Sequence, residues 1–199
     1  MNNERQIGRV TIGKALAIFV ALCFAFIASE GQSEANKYIG AKKCKKCHSS
    51  AAHGNQYKAW SKMKHASAYT MLGEAKAKEV GAKLGAPDPQ KSEKCLKCHD
   101  TGRGEPASAF ASSFKPLLGV QCESCHGQGE THAKARSAAA KAGDVIGPVP
   151  KGEIAMPTEK TCKGCHNKKS PSFKAFDYKE RCLKIAHPDP SKNKKPCSK

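Results

Sequence analysis

The sequence predicts a mainly α-helical, irregular fold of short helices and loops, wrapped around a core that its own side chains do not supply. The chain has 199 residues, which allows one domain or two small ones. Aromatic residues make up 6% of it, so large apolar side chains are scarce. Several segments carry apolar residues at helical spacing, and little of the sequence alternates as a strand does.

The nature of the core is predicted from a short motif, C-x-x-C-H, which occurs four times. This spacing indicates c-type haem attachment, in which each thiol adds across one vinyl group of the haem. The histidine that follows is then the proximal ligand of the iron. The four copies, numbered here as haem sites 1 to 4 in chain order, are Cys44, Cys47 and His48; Cys95, Cys98 and His99; Cys122, Cys125 and His126; and Cys162, Cys165 and His166.

Zinc binding and a disulfide framework are the alternatives for so many cysteines. Structural zinc uses two cysteine pairs per ion and requires no histidine directly after the second cysteine. A disulfide framework would leave the four motif histidines unexplained. We therefore expect four covalently attached haem c groups, whose flat apolar surfaces form the core of the fold.

The N-terminus has the pattern of an export signal. Arg5, Arg9 and Lys14 form a basic region, and residues 15–28 are an unbroken apolar run. That run suits a signal peptide and is short for a membrane span; an uncleaved anchor is the alternative. The sequence thus predicts a signal peptide at 1–35, a tetrahaem cytochrome domain at 36–188 and a polar C-terminal tail at 189–199. We expect the mature protein to be periplasmic or otherwise exported.

The formal net charge of +18 bears on the partners. Nucleic-acid binding is the usual interpretation of so basic a chain, but the export signal argues against it. We expect a basic surface that steers redox partner proteins with acidic docking surfaces, and at most peripheral contact with a membrane. The sequence predicts no oligomeric state.

The first half of the domain is predicted to hold three helices. Residues 54–72 form one, because Tyr57, Trp60 and Lys64 fall on one face at helical spacing, with His65 on its flank. Residues 74–84 form a second helix between two glycines. Asp88 and Pro89 are expected to begin the helix that carries the second motif.

The second half is predicted to contain more loop. Residues 101–120 and 143–157 are rich in glycine and proline and are expected to be loops. A helix is predicted at 131–141, and Thr158 is a good N-cap for a helix bearing the fourth motif.

Four histidines lie outside the motifs: His53, His65, His132 and His187. Four spare histidines for four irons suggest that two histidines bind each iron. His53 follows His48 by five residues, a segment too short to pass easily round the edge of the same haem. It would therefore reach a neighbouring haem, or face solvent or a propionate. Packing is the more ordinary role of the competing soft ligands, Met63, Met71 and Met156.

Three stretches carry a resemblance to a known family. They are residues 44–68, with Tyr57 and Trp60 ahead of His65; residues 116–132, with the run GVQCESCHGQG; and residues 162–166, with the downstream His187. Together they resemble the tetrahaem cytochrome c-554 family, named for the electron acceptor of hydroxylamine oxidoreductase in ammonia-oxidising bacteria. The resemblance extends from about Gly40 to Pro188.

The resemblance implies which histidines share an iron. His132 would be the distal ligand at site 1 opposite His48, His187 at site 3 opposite His126, and His65 at site 4 opposite His166. The founding member of the family has no distal side chain at its second haem, so His99 would bind a five-coordinate iron. His53 has no counterpart in the family pattern, which leaves site 2 either open or closed by His53.

Cys182 and Cys197 lie outside all four motifs. In an oxidising compartment they form either a disulfide that holds the tail or two free thiols, and the sequence leaves both open.

The sequence favours an electron carrier over an enzyme. Irons with both axial positions filled do not bind substrate, and no constellation for acid–base or nucleophilic catalysis is visible. The alternative is binding or reduction of a small molecule, such as nitric oxide, at an open iron on His99. A subunit of an extracellular haem filament is a third hypothesis, which so short a chain supports little.

Overall fold

The computed structural model describes residues 35–144, 149–187, 189 and 197. The signal peptide predicted at 1–35 lies outside the described residues except for its last position, and most of the tail predicted at 189–199 also lies outside them. Among the residues described, no helix is both long enough and apolar enough to cross a membrane.

Within the described ranges the protein is a series of nine short α-helices joined by turns and irregular loops. They are α1 (Ala41–His48), α2 (Gln56–Ser61), α3 (Ala68–Met71), α4 (Ala75–Lys83), α5 (Glu93–His99), α6 (Cys122–His126), α7 (Glu130–Lys141), α8 (Glu159–Lys163) and α9 (Tyr178–Ile185). Single 3₁₀ turns occur at Ala51–His53, Pro89–Lys91 and Ala107–Ala109. The predicted mainly α, irregular fold is confirmed.

The chain's own apolar core is small. Its buried apolar residues in the described part are Ile39, Ala41, Ala68, Leu72, Ala86 and Leu96. The polar residues buried with them are Asp100, Thr101, Gln121 and Glu123. A fully buried large apolar side chain contributes roughly 1.5–3 kcal/mol, and half of these six are alanines, so this core alone is weak for a domain of this size.

Tyr38 ties the start of the domain to the loop at 101–120. Its backbone N–H donates to the carbonyl of Ala109 and its carbonyl accepts from Ala111, both at 2.9 Å. Its ring stacks on Phe110 with the ring centres 5.3 Å apart. An isolated parallel bridge pairs Tyr38 with Phe110 and is the strand-like pairing found among the described residues.

The helix predicted across 54–72 is wrong in its middle. α2 ends at Ser61 and α3 begins at Ala68, and tight turns join them. The N–H of Val120 donates to the carbonyl of His65 at 2.9 Å. That carbonyl would be an acceptor inside a continuous helix, so the incoming segment replaces a helical hydrogen bond.

The other predicted elements fare better. The helices at 74–84 and 131–141 are confirmed as α4 and α7. Thr158 caps α8 as predicted, with its hydroxyl accepting from the N–H of Thr161. The helix start at Asp88 is wrong, because Pro89–Lys91 is a separate 3₁₀ turn and the motif helix α5 begins after Ser92.

Candidate haem-binding site

Each C-x-x-C-H motif lies at the end of a short helix. α1, α5 and α6 end at His48, His99 and His126. α8 ends one residue after Cys162, and the turn that follows brings the N–H of His166 to the carbonyl of Cys162 at 2.9 Å. Residues three and four apart are neighbours on a helix surface, so each motif presents two thiols and an imidazole on one side.

The thiols of different motifs lie next to each other. Cys44 of site 1 shares a side-chain hydrogen bond with Cys122 of site 3, and this contact, ahead of burial, raises the pKa of the Cys44 thiol. Burial, and next the Cys162 thiol of site 4, raise the pKa of Cys125 of site 3 to about 11.

A third contact joins the remaining motif to this series. Burial, followed by the nearby Cys98 of site 2, raises the pKa of Cys165 of site 4 to about 12. Two thiol hydrogen bonds and one electrostatic interaction therefore link the sites in the order 1, 3, 4, 2, which differs from their order in the chain.

The structure brings together all three histidine pairs that the family resemblance implies. The ring centres of His48 and His132 are 6.0 Å apart, those of His65 and His166 are 6.0 Å apart, and those of His126 and His187 are 5.9 Å apart. The two members of each pair are separated by 84, 101 and 61 residues of chain respectively, so no local structure produces these contacts.

This separation suits a metal ion held between two imidazoles. A metal–imidazole bond is about 2 Å long and a ring nitrogen lies about 1 Å from the ring centre, so two opposed ligands put their ring centres about 6 Å apart. Direct stacking of two imidazole rings would not by itself give the same separation in all three pairs. The side chains present therefore fit an iron at sites 1, 3 and 4.

Hydrogen bonds fix the tautomer of several of these rings. The Nδ1 atom of His99 lies 2.8 Å from the carbonyl oxygen of Ala68, and that of His126 lies 2.9 Å from the carbonyl oxygen of Ala155. A carbonyl only accepts, so Nδ1 carries the proton and Nε2 keeps the lone pair that binds a metal. His48 has the side-chain oxygen of Gln56 at 3.1 Å from its Nδ1.

Burial keeps the imidazoles in their metal-binding form. It is the largest cause of the lowered pKa of His48, His65, His166 and His187. A lowered pKa leaves the ring neutral at neutral pH, and a neutral imidazole is the form that ligates iron.

His99 differs from the other motif histidines. Within the described residues no second imidazole faces its ring, and its recorded hydrogen bond goes to Ala68, which lies at the start of α3. Three apolar residues of these elements are buried: Ala68 in α3, Leu72 directly after α3, and Leu96 in α5. His99 is thus held by the packing of α5 against α3 and by its hydrogen bond to the first residue of α3.

His53 lies beside site 1. It ends the 3₁₀ turn Ala51–His53, where its Nδ1 is 2.7 Å from the hydroxyl of Ser50. Its charge contributes to the lowered pKa of His48, after burial and other groups. The structure therefore places His53 close to the first motif.

A buried carboxylate inside the third motif was missed by the sequence interpretation. Glu123 is 3% exposed and accepts three backbone N–H bonds, from Ile39 at 2.8 Å, Gly40 at 2.7 Å and Gly129 at 2.8 Å. Burial raises its pKa, while these three hydrogen bonds oppose the rise. Ile39 and Gly40 precede α1, and Gly129 precedes α7, so one side chain holds the helices of both His48 and His132.

Gln121 and Thr101 extend this polar anchor. The side-chain oxygen of Gln121 accepts from the N–H of Ala41, the first residue of α1, at 2.8 Å. The hydroxyl of Thr101 accepts from the N–H of Gln121 at 2.7 Å and donates to the carbonyl of Gly119 at 3.0 Å. The sequence does contain a signal for this anchor. Gln121 and Glu123 are polar residues on either side of Cys122, and haem attachment requires neither of them.

Gly119 and Trp60 position His65. The indole N–H of Trp60 donates to the carbonyl of Val120 at 2.8 Å. Gly119 has φ +75°, and a Cβ there would lie 2.7 Å from the carbonyl oxygen of His65. A side chain at this position would push the segment away, so glycine is required for the contact that holds His65.

The region around His187 is held by a disulfide. Cys182 on α9 and Cys197 are bonded, with Cα atoms 6.0 Å apart. Of the two possibilities that the sequence left open, the structure contains the bridge. It fixes α9, which ends two residues before His187, to a residue of the C-terminal tail.

The comparisons with known proteins agree with this site. The sequence model of the family described as "Cytochrome c554 and c-prime" matches residues 43–127, which contain the first three motifs. The chain is 31% identical over 165 residues to "Cytochrome c-554" of Nitrosomonas europaea, an alignment that covers 76% of this chain and 67% of the relative. No solved structure matches the chain significantly. The chain belongs to the cytochrome c-554 family.

Proposed function

We propose that this c-type cytochrome carries four covalent haem c groups and relays electrons between redox partner proteins outside the cytoplasm. When bound, haem c supplies reversible one-electron chemistry. The observation that carries the proposal is the set of three imidazole pairs with ring centres 5.9–6.0 Å apart, each containing one motif histidine. Paired imidazoles fill both axial positions, which suits electron transfer and leaves no place for substrate.

The thiol contacts support a relay. A motif cysteine marks the edge of its haem, since the thioether bond forms at a vinyl group on the ring periphery. The hydrogen bonds of Cys44 with Cys122 and of Cys165 with Cys98 therefore bring the edges of sites 1 and 3, and of sites 4 and 2, together. The electrostatic interaction of Cys125 with Cys162 indicates that sites 3 and 4 are also neighbours. Electron transfer along the series 1, 3, 4, 2 needs no further cofactor.

The basic face around site 1 supports an acidic partner. Residues 36–73 contain no acidic residue, and seven of their lysines are exposed: Lys42, Lys43, Lys45, Lys46, Lys58, Lys62 and Lys64. Cys47 of site 1 is exposed as well, whereas the other seven motif cysteines are half-buried. A partner with an acidic surface would be steered to this edge.

Charge reversal tests this docking face. We expect two results from replacing Lys42, Lys43, Lys45 and Lys46 by Glu. Reduction of the protein by an acidic flavodoxin hydroquinone should become slower, and its rate constant should no longer fall as the salt concentration rises. Replacing the exposed α4 lysines Lys76, Lys78 and Lys83 by Glu is the control, with a smaller expected effect. Equal slowing by both sets would leave net charge, and not this face, as the cause.

The number and ligation of the haem groups test the main proposal. The intact mass of the mature protein should exceed the polypeptide mass by four haem units; a smaller excess would contradict the proposal. His65→Ala should convert one low-spin haem to high-spin in the electron paramagnetic resonance spectrum, because it removes the ring facing His166. His53→Ala is the matched control and should leave the spin states unchanged.

A second candidate function is supported at site 2. His99 has its Nδ1 bonded to Ala68 and has no imidazole facing it in the described ranges. An iron bound there would have an open position for a small ligand such as nitric oxide or carbon monoxide. Reduced wild-type protein should show a carbon monoxide difference spectrum amounting to one haem in four. Absence of both this change and a high-spin ferric signal would leave the protein a carrier alone.

A further inference from the structure

One of the haem-facing histidines is hydrogen-bonded to a carboxylate. The Nδ1 atom of His132 lies 2.8 Å from Oε1 of Glu153, and both side chains are largely buried, with 13% and 10% of their surface exposed. Glu153 comes from the loop between α7 and α8, 21 residues further along the chain. In the described residues, the Nδ1 atoms of His48, His99 and His126 face neutral acceptors: the Gln56 side chain and the carbonyls of Ala68 and Ala155.

Arg136 holds this carboxylate in place. Its Nη2 donates to Oε2 of Glu153 at 2.9 Å, and its Nε lies 2.9 Å from Oε1 without the geometry of a hydrogen bond. Arg136 lies four residues after His132 on α7, so ligand and guanidinium project from the same helix face. The guanidinium balances the charge of Glu153, which is why a carboxylate is tolerated at this depth.

Glu153, held by Arg136, would act on the iron through the imidazole of His132. With Nε2 of His132 turned to the metal, Nδ1–H donates to Glu153, and a charged acceptor draws that proton more strongly than an amide or a carbonyl does. The imidazole becomes a stronger electron donor, as in the carboxylate–histidine–metal arrangements of other metalloproteins. A stronger donor stabilises ferric iron relative to ferrous iron, and the proton stays on Nδ1 in both states.

We infer that Glu153 is a positioning residue that lowers the reduction potential of the haem at site 1 relative to the other sites. The inference rests on the proposed function, in which His132 and His48 share that iron. It gives the relay a direction, since electrons leave the site of lowest potential most readily. Site 1 also carries the exposed basic face, so this end would pass its electron inward to sites 3, 4 and 2.

Glu153→Gln tests the inference in the intact holoprotein. Glutamine keeps the length of the side chain and an oxygen acceptor for Nδ1–H, but removes the charge. In a spectroelectrochemical titration we expect the reduction equilibrium of one haem to shift about tenfold toward the ferrous state, which is about 59 mV for a one-electron couple. The other three haems should keep their potentials, and all low-spin signals should persist.

Glu130→Gln is the control. Glu130 begins α7 and pairs with Lys134 at 3.3 Å, whereas His132 Nδ1 bonds to Glu153. This variant therefore removes a negative charge two residues from His132 and spares the hydrogen bond of the ligand. Equal shifts in both variants would overturn the inference, because the cause would be charge and not the hydrogen bond. Unchanged potentials, or a new high-spin haem in Glu153→Gln, would also overturn it.

Two measurements keep the outcome decisive. The intact mass of the wild type and of each variant distinguishes failure of the inference from failure of the proposed function. Four haems with unchanged potentials would refute the inference alone. Fewer than four haems in the wild type would refute the proposed function. If Glu153→Gln does not take up its haems, near-infrared magnetic circular dichroism of the ferric wild type replaces it. One of its charge-transfer bands should lie at higher energy than the others, and a single common energy would refute the inference.

Discussion

Residues 36–144 and residues 149–187 hold their histidines in different ways. In the first region the helices of His48 and His132 begin at backbone groups bound to one buried carboxylate, Glu123, and every buried apolar side chain of the described chain lies there. In the second region no residue from 149 to 187 is fully buried, and Glu153 is the most enclosed side chain that takes part in its ion pairs. Its helices rest on exposed caps, on a disulfide and on the rings that face other motifs.

The two regions become ordered through different interactions. Three backbone groups of the first region donate to one buried carboxylate, so the polypeptide itself fixes the starts of α1 and α7 relative to each other. The second region contributes His166 and His187, whose rings meet His65 and His126 of the first region. We infer that the second region becomes ordered mainly through these shared sites, with the bridge Cys182–Cys197 limiting its freedom.

The largest expected effect comes from Glu123→Ala. It leaves three buried backbone N–H groups without an acceptor, at about 1–3 kcal/mol each, so the free energy of unfolding should fall by roughly 3 kcal/mol or more. Urea denaturation of the holoprotein measures it. Glu159→Ala, at an exposed carboxylate of the second region paired with Lys163 at 2.7 Å, should cost about 0.5 kcal/mol or less. Similar losses in the two variants would erase the distinction between the regions.

Removal of the disulfide should come next. Replacing Cys182 and Cys197 by Ser opens a loop of 15 residues, which costs about 3 kcal/mol on the chain-entropy model. The loss should be local, because α9 leads directly into His187: part of the haem at site 3 should become high-spin while sites 1 and 4 stay low-spin. Electron paramagnetic resonance of the ferric double variant decides this, and an unchanged spectrum would show that His187 needs no such restraint.

The smallest effect tests how the first region reaches across to site 4. Gly119→Ala places a Cβ 2.7 Å from the carbonyl oxygen of His65, in addition to the cost of its positive φ. Gly104 also has positive φ, +92°, but a Cβ there meets nothing within 4 Å, so Gly104→Ala measures the backbone cost alone, about 1–2 kcal/mol. Gly119→Ala should cost about 1 kcal/mol more than Gly104→Ala in thermal unfolding. Equal costs would mean that His65 moves without penalty.

The sequence predicted the features of the fold and of the site that have a local sequence signal. The mainly α fold was predicted from the four C-x-x-C-H motifs and the scarcity of aromatic residues. The start of α8 was predicted from Thr158. Each of these signals lies within a short stretch of sequence. Helix α9 had a local signal as well. Asp177 caps it by accepting from the N–H of Glu180 at 2.7 Å, and an acidic residue followed three positions later by glutamate is a recognisable helix start.

What the sequence did not predict depends on contacts across the fold. Residues 54–72 read as one helix because the apolar spacing continues, and the interruption comes from Val120, more than fifty residues away. Nothing in the C-x-x-C-H pattern indicates that the side chain of Glu123 faces three backbone N–H groups, so its role was not predicted. The carboxylate partner of His132 was missed for the same reason, because Glu153 lies in a loop with no pattern of its own.

The three ring pairs also have a topological consequence. Their chain positions interleave: His48 pairs with His132, His65 with His166, and His126 with His187, so each pair overlaps the next along the chain. A cut at any point from residue 49 to residue 186 therefore separates the two members of at least one pair. The domain is not a string of independent modules with one histidine pair each, which recombination could exchange singly. During synthesis from the N-terminus, no pair is complete until His132 has emerged, and the last waits for His187.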